Sequence, residues 1–337
     1  MTGPSIPTSS AAAPNDAGGQ GRRLDARILY SGSRLIVLFL LCVVLTLASP
    51  VFLTGTNALN VLRVASLLVI LGIGETVVIL TAGIDLSIGS VLTLSSVIAA
   101  TAFKADVPLP LALASGLAVG AGLGLLNGLM VAVVKLPAFI ATYGMMWVAS
   151  GFAVVLLKGH VIYGFEEDFR FLGVGNPMGI PMPIIIMVLL WIPAYLLLRR
   201  TTFGRSIYAV GANQETARLS GVKKDQTLIL AYTLSGLLSA AAGLVYVARL
   251  NASEAGIGAN MLLPAIAAVV IGGTSLFGGE GGIVGTLIGA LIMTIVQNGM
   301  NLLGVESVWQ GVVLGALIAV AVLLDQWARK ALAGETG

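Results

Sequence analysis

The chain has 337 residues, 57% of them hydrophobic and 10% charged, with a mean hydropathy of +1.00. Soluble domains carry about 25% charged residues, so this composition excludes a water-soluble globule. The net charge of +3 does not point to nucleic acid, because the basic residues sit at the ends of apolar runs, where they orient a chain in a bilayer.

Residues 1–34 are rich in Ser, Ala, Pro and Gly and then carry Arg22, Arg23, Arg27 and Arg34 without the apolar core of a signal peptide. They are expected to form a disordered cytoplasmic tail. The run from Leu35 to about Leu53 is long enough to span a membrane. Cys42, the only cysteine, lies inside it, which excludes an intrachain disulfide. Further spans are predicted at about 61–81, 87–103, 109–134, 138–157, 182–198, 227–249, 260–273, 282–301 and 308–324, ten in all, followed by a cytoplasmic tail at 329–337. The third and eighth are short and bounded by glycine, as broken or partly crossing segments are. The 43 glycines suit closely packed membrane helices. With both termini in the cytoplasm, thirteen Lys/Arg fall on that side and five (Arg63, Lys104, Lys158, Arg170 and Arg249) on the other. The reading is an all-α polytopic membrane protein.

Within this frame the polar residues stand out. Glu75, in LGIGETVVIL, is an acid about 9 Å inside the second span at 1.5 Å per residue. Intramembrane carboxyls are functional candidates by default, although a carboxyl tying helices together reads the same way. The interruption TAGIDLSIGS (81–90) offers Asp85 or Ser87 as caps for the third span, or as substrate or gating groups. A second interruption, IGGTSLFGGEGG (271–282), shares its Gly, Ser/Thr and acid composition and suggests an internal duplication. Asn127 and, near the ninth span, Gln297, Asn298 and Asn301 can line a sugar path or bond neighbouring helices. The outer stretch 158–181 holds Glu166, Glu167 and Asp168 among Phe165, Phe169 and Phe171, and reads as a solvated loop or as a docking surface for an extracytoplasmic partner.

The long polar segment is 199–226, with six Lys/Arg against Glu215 and Asp225. Asn213 can cap a short helix there, Glu215 falls near its start and Gly221 can close it. A polar helix of about two turns has no core of its own, so it lies on a membrane surface or on a partner. No GxxxxGK[ST] loop and no Ser/His/Asp or Cys/His set occurs, and His160, the only histidine, has no cysteine near it. The chain therefore reads as neither an ATPase nor another enzyme, and as needing no cofactor and no metal. Two other transport classes stay open: a proton-coupled secondary sugar transporter using Glu75, and a passive channel.

GIDLSIGS (83–90), TTFGRSIYAVGANQETARLSGV (201–222) and VVIGGTSLFGGEGG (269–282), in this order, resemble the permease subunits of bacterial monosaccharide ABC importers of the ribose/xylose/autoinducer-2 type. The similarity runs from residue 35 to 328. Glu215-Thr216-Ala217 followed by Gly221 looks like the EAA-x-x-x-G loop of ABC importers, with Thr216 at the middle position and the downstream part of the longer signature missing. The resemblance implies a coupling helix between the sixth and seventh spans, carried by Glu215, Thr216, Ala217, Arg218 and Gly221. It further implies a cytoplasmic ATP-binding subunit, a periplasmic sugar-binding protein and a second permease copy or homologue in the inner membrane. Alternating access would move a pentose or hexose, with Glu75, Asp85, Ser87, Asn127 and Asn298 as candidates for the path or its gates.

Overall fold

A hydrocarbon layer of about 30 Å takes roughly 20 helical residues to cross. In a computed structural model, which describes residues 34–306, 308–317, 319–320 and 323, six helices meet that length and are apolar enough to cross a membrane. These are α2 (Gly55–Leu80), α4 (Leu109–Ala132), α5 (Ala138–Leu157), α7 (Met182–Arg200), α10 (Lys224–Leu250) and α12 (Ile283–Leu302). Four shorter apolar helices complete the expected series: α1 (Arg34–Ala48), α3 (Ile88–Lys104), α11 (Leu262–Ile271) and α13 (Val308–Leu317). Three small helices lie outside the spans, namely α6 (Glu167–Val174), α8 (Thr202–Ala212) and α9 (Gln214–Leu219). The strands β1 (Ile162–Tyr163) and β2 (Ala252–Ser253) pair antiparallel. The expected tails at 1–33 and 329–337, and residues 318, 321, 322 and 324 of the expected tenth span, lie outside the described residues. Arg34, expected in the tail, instead belongs to α1, and its guanidinium donates to the Gly272 carbonyl at the end of α11, where a cation suits the helix dipole.

In lipid, helices gain little from burying apolar side chains against each other, so close packing must hold them. α4 shows how. Ala112, Gly116, Gly120, Gly124, Gly128 and Ala132, one every four residues, form most of its buried face. A Cβ on Gly120 would meet Ala240 Cβ and the Gly236 oxygen at 2.5 Å, and one on Gly128 would meet Ile229 Cα at 2.7 Å. Backbone therefore lies on backbone along the α4–α10 seam. α10 also packs on α2 and α3, and every residue of α2 from Ala65 to Leu80 is buried.

The two short spans owe their length to irregular backbone held inside the bundle. α2 ends in a Schellman motif: Ala82 takes a left-handed conformation (φ 64°), its N–H donates to Ile79 O, and Gly83 N–H donates to Val78 O. The chain then doubles back, and the Asp85 N–H reaches Glu75 Oε1 at 3.3 Å. α11 ends in the same way, with Gly273 left-handed and the Gly273 and Thr274 N–H groups donating to Val270 and Val269. Ahead of α11, Gly258 packs on Gly89 and donates to Thr93 Oγ1 at 3.0 Å. The stretch 158–181 is more ordered than a solvated loop. Phe165 and Phe169 are buried and stacked with ring centroids 4.7 Å apart, and Phe103 lies 5.2 Å from Phe169. This leaves Glu166, Glu167 and Asp168 exposed at the start of α6.

Candidate coupling segment and buried polar cluster

The segment 199–226 builds two helices where the sequence reading expects one. Thr201 Oγ1 accepts the Gly204 N–H at 3.1 Å and starts α8. Phe203, Ile207 and Val210 recur at helical spacing, with Ile207 and Val210 fully buried. That periodicity was the available signal for α8. Asn213 then caps α9, its Oδ1 accepting the Thr216 N–H at 2.8 Å. Gly221 (φ 82°) closes α9 with a Schellman pair, Gly221 N–H to Arg218 O and Val222 N–H to Ala217 O. No atom lies within 4 Å of a Cβ placed on Gly221, so glycine is required there by conformation and not by space.

α9 turns only Ala217 inward, beside Ala132, Val210 and Leu228. Thr216 is exposed, and Leu219 is 74% exposed at the tip, a residue the motif reading passes over. Glu215 and Arg218 make a two-point ion pair at 2.6 and 3.0 Å. The hydrogen bond from Arg218 holds the Glu215 carboxyl below its ordinary range, and the same bond raises Arg218. Both side chains are more than half exposed, so the pair adds little stability and chiefly sets the surface α9 presents.

α8 packs on α7 and α10 as well as on α2, and it meets the end of α2 at Gly211. Gly211 sits against the Leu80 carbonyl, and Gly279 N–H donates to that same oxygen at 3.0 Å. Gly278 lies against Ala82 and the Gly211 carbonyl, and Tyr208 donates its hydroxyl proton to Gly281 O at 3.0 Å. The end of α2, α8 and the 275–282 loop thus form one joint. Beside it is a cleft of about 700 Å³ between α1, α7, α8 and the start of α12, lined by Arg34, Tyr195, Arg199, Tyr208 and Glu280. Partial burial raises the Tyr208 hydroxyl above its ordinary range.

A short way up α2 from this joint, four of the singled-out polar residues come together. Glu75, Asp85, Ser87 and Asn127 are each 1% exposed or less. Asp85 accepts from Ser87 N (2.9 Å), Ser87 Oγ (2.6 Å) and Ser235 Oγ (3.0 Å). Asn127 Nδ2 donates to Ser87 Oγ at 2.8 Å. The expected capping of α3 takes another form: Ser87 occupies the N-cap position without a side-chain cap bond, and Asp85 makes an Asx-type turn just before it. α10 supplies two further members, Ser235 and Tyr232, whose hydroxyl lies where a Cβ on Gly83 would fall. Both look like ordinary small or aromatic core residues in the sequence. Thr142 on α5 completes the shell by donating to the Ile84 carbonyl at 3.2 Å. Among the described residues, Glu75 Oε2, Asn127 Oδ1 and the Tyr232 hydroxyl have no hydrogen-bond partner.

Asn298 stands apart from this group. Its Nδ2 donates to Asn57 Oδ1 at 2.8 Å and its Oδ1 accepts from Asn57 Nδ2 at 3.0 Å, which joins α12 to the first turn of α2, at the end of α2 opposite the joint.

The family described as branched-chain amino acid transport system / permease component matches residues 57–322. The ribose import permease protein RbsC of Escherichia coli (strain K12) is 43% identical over 264 residues, covering 77% of this chain and 82% of that protein. RbsC of Bacillus subtilis (strain 168) is 45% identical over 244 residues, 72% and 76% of the two chains. The fructose import permease protein FrcC of Rhizobium meliloti is 38% identical over 289 residues, 81% and 78%. No solved structure matches.

Proposed function

The chain belongs to the family of monosaccharide ABC importer permeases, and on that premise we propose that it is the membrane-spanning subunit of an ATP-driven importer of a ribose-like pentose or hexose. It lies in the inner membrane with both termini and the α8–α9 pair in the cytosol. A second copy, or a close homologue, completes the central path, and a periplasmic binding protein delivers the sugar. ATP is hydrolysed in a separate subunit that grips α9.

The observation that carries this reading is the attachment of α9. A six-residue helix has no stability of its own, and α9 keeps only Ala217 inward while its caps hold it rigid. Force applied to Glu215, Thr216, Arg218 and Leu219 passes through Ala217 and Val210 to α8, and from Gly211 to the Leu80 carbonyl. There it meets the end of α2 and the 275–282 loop together. Such a joint moves as a unit between two packed arrangements, as alternating access requires.

The polar residues then act as gates at opposite ends of α2. Glu75, Asp85, Ser87 and Asn127 hold the turned-back segment in place next to the joint, and Asn57 with Asn298 fastens α2 to α12 at the far end. The test is cross-linking. A cysteine at Gln214 or Thr216 in a Cys42→Ser chain is expected to cross-link to the ATP-binding subunit, with a yield that changes when ATP is bound. Absence of any such cross-link in an actively importing complex contradicts the proposal.

A further inference from the structure

Two carboxyl groups, Glu75 and Asp85, lie side by side in the buried cluster, and among the described residues neither forms an ion pair. Their surroundings differ in kind. Asp85 accepts three hydrogen bonds shared over both oxygens, the set that suits an ionised carboxylate. Among the described residues Glu75 accepts only the long bond from Asp85 N–H on Oε1, and its Oε2 has no partner. A second bare carboxylate beside the first would leave two negative charges in a bundle without a counter-charge. A protonated carboxyl instead has a proton to donate, and the cluster holds two unpartnered oxygens that can accept, Asn127 Oδ1 and the Tyr232 hydroxyl. A single water can bridge such groups where the gap is too long for a direct bond.

We propose that the cluster of Glu75, Asp85, Ser87, Asn127, Tyr232 and Ser235 binds one small cation, a proton carried on Glu75, and that loss of this proton loosens the joint between α2 and α8. Little else near Glu75 can titrate. α10 presents Tyr232 and the turned-back segment presents Asp85, while α11, α12 and α4 carry no titratable residue. Arg199 and Arg200 of α7, Arg205 of α8 and the tyrosines of these two helices are not paired with either carboxyl. Glu75 is five residues from Leu80, whose carbonyl receives the Gly279 N–H. Ionising it places repulsion against Asp85 about 7.5 Å along α2 from that bond. The functional half of the inference rests on the reading of α8–α9 as the driven element; the protonation half does not.

Infrared spectra of the purified permease in lipid nanodiscs test the protonation half without any partner. At neutral pH the carbonyl stretch of a buried carboxylic acid is expected in the wild type, lost in Glu75→Gln and kept in Asp85→Asn. A missing band, or one untouched by Glu75→Gln, overturns the assignment, as does a band that appears only when sodium is replaced by choline. Sugar uptake per ATP hydrolysed by the whole transporter tests the other half. Wild-type uptake is expected to fall several-fold from neutral to strongly alkaline medium while Glu75→Gln stays flat. Parallel profiles, or a folded Glu75→Gln inactive at every pH, refute the link to the joint even where the infrared result stands. Should Glu75→Gln fail to fold, Glu75→Leu removes the charge as well and takes its place, with the same outcomes.

Discussion

If α8 transmits force from α9 as proposed, one methyl group at Gly211 is expected to cut that transmission. A Cβ added to Gly211 would press on the Leu80 carbonyl and lie 2.6 Å from Gly279 N, inside any contact that real Cβ atoms make. Relief requires α8 to withdraw by roughly 1 Å, because packed interiors hold no slack of that size. Overpacking of this kind costs about 1–3 kcal/mol. The Gly279–Leu80 hydrogen bond, worth about 1 kcal/mol, is put at risk as well. Against this, alanine in a helix gains about 1 kcal/mol over glycine. The net penalty of about 1–3 kcal/mol falls on the joint and shifts its two arrangements by about 5- to 150-fold. The assay is sugar uptake by cells carrying the complete transporter, with membrane-inserted permease measured alongside. Gly211→Ala is expected to lose most of its uptake while insertion and basal ATP hydrolysis persist. Gly122→Ala, where nothing lies within 4 Å of the new Cβ, is the matched control and should be neutral or slightly stabilising. Uptake by Gly211→Ala equal to that of the control would refute the mechanical role of the joint.

Other expectations follow from the same geometry. Gly120→Leu or Gly124→Leu should prevent the α4–α10 seam from closing and yield aggregated protein in size-exclusion chromatography, since the backbone of α10 occupies the space. Asn57→Ala and Asn298→Ala should each lower the midpoint of thermal unfolding, with a coupling of about 0.6–2 kcal/mol in a double-mutant cycle. Glu215→Lys should abolish uptake yet leave insertion unchanged. Glu215 also carries a signed pH dependence. Its carboxyl titrates below the ordinary 4.5 because Arg218 donates to it, so the pair is intact above that value. Its contribution disappears as pH falls through the lowered range. The carboxyl carbon resonance of Glu215 should follow that course and return to the ordinary range in Arg218→Ala.

The ten apolar segments, both broken spans and the α9 caps were legible because each is a local signal: a hydrophobic run, a glycine interruption, or Asn and Gly at fixed offsets. Glu75, Asp85, Ser87 and Asn127 were legible one at a time but not as a group, since the chain must double back after Ala82 before Asp85 meets Glu75. Ser235 and Tyr232 carried no distinguishing signal, because serine and tyrosine are common in membrane helices and only the α2–α10 contact gives them a role. α8 was visible in the spacing of Phe203, Ile207 and Val210 but hidden by the surrounding basic residues. The α4 glycines repeat every four residues, and that stripe could have been read as the tightest helix contact. Asn298 was grouped with the other polar candidates, and only the pairing with Asn57 separates it from them.

The central claim is that α9 faces the cytosol and is moved by another polypeptide. The most direct measurement uses a membrane-impermeant thiol reagent on a Gln214→Cys, Cys42→Ser chain, applied to intact cells and to inside-out vesicles. Rapid labelling is expected only in inside-out vesicles, with protection when the ATP-binding subunit is assembled on the permease. Labelling from outside intact cells, or labelling that the ATP-binding subunit leaves unchanged, would contradict it.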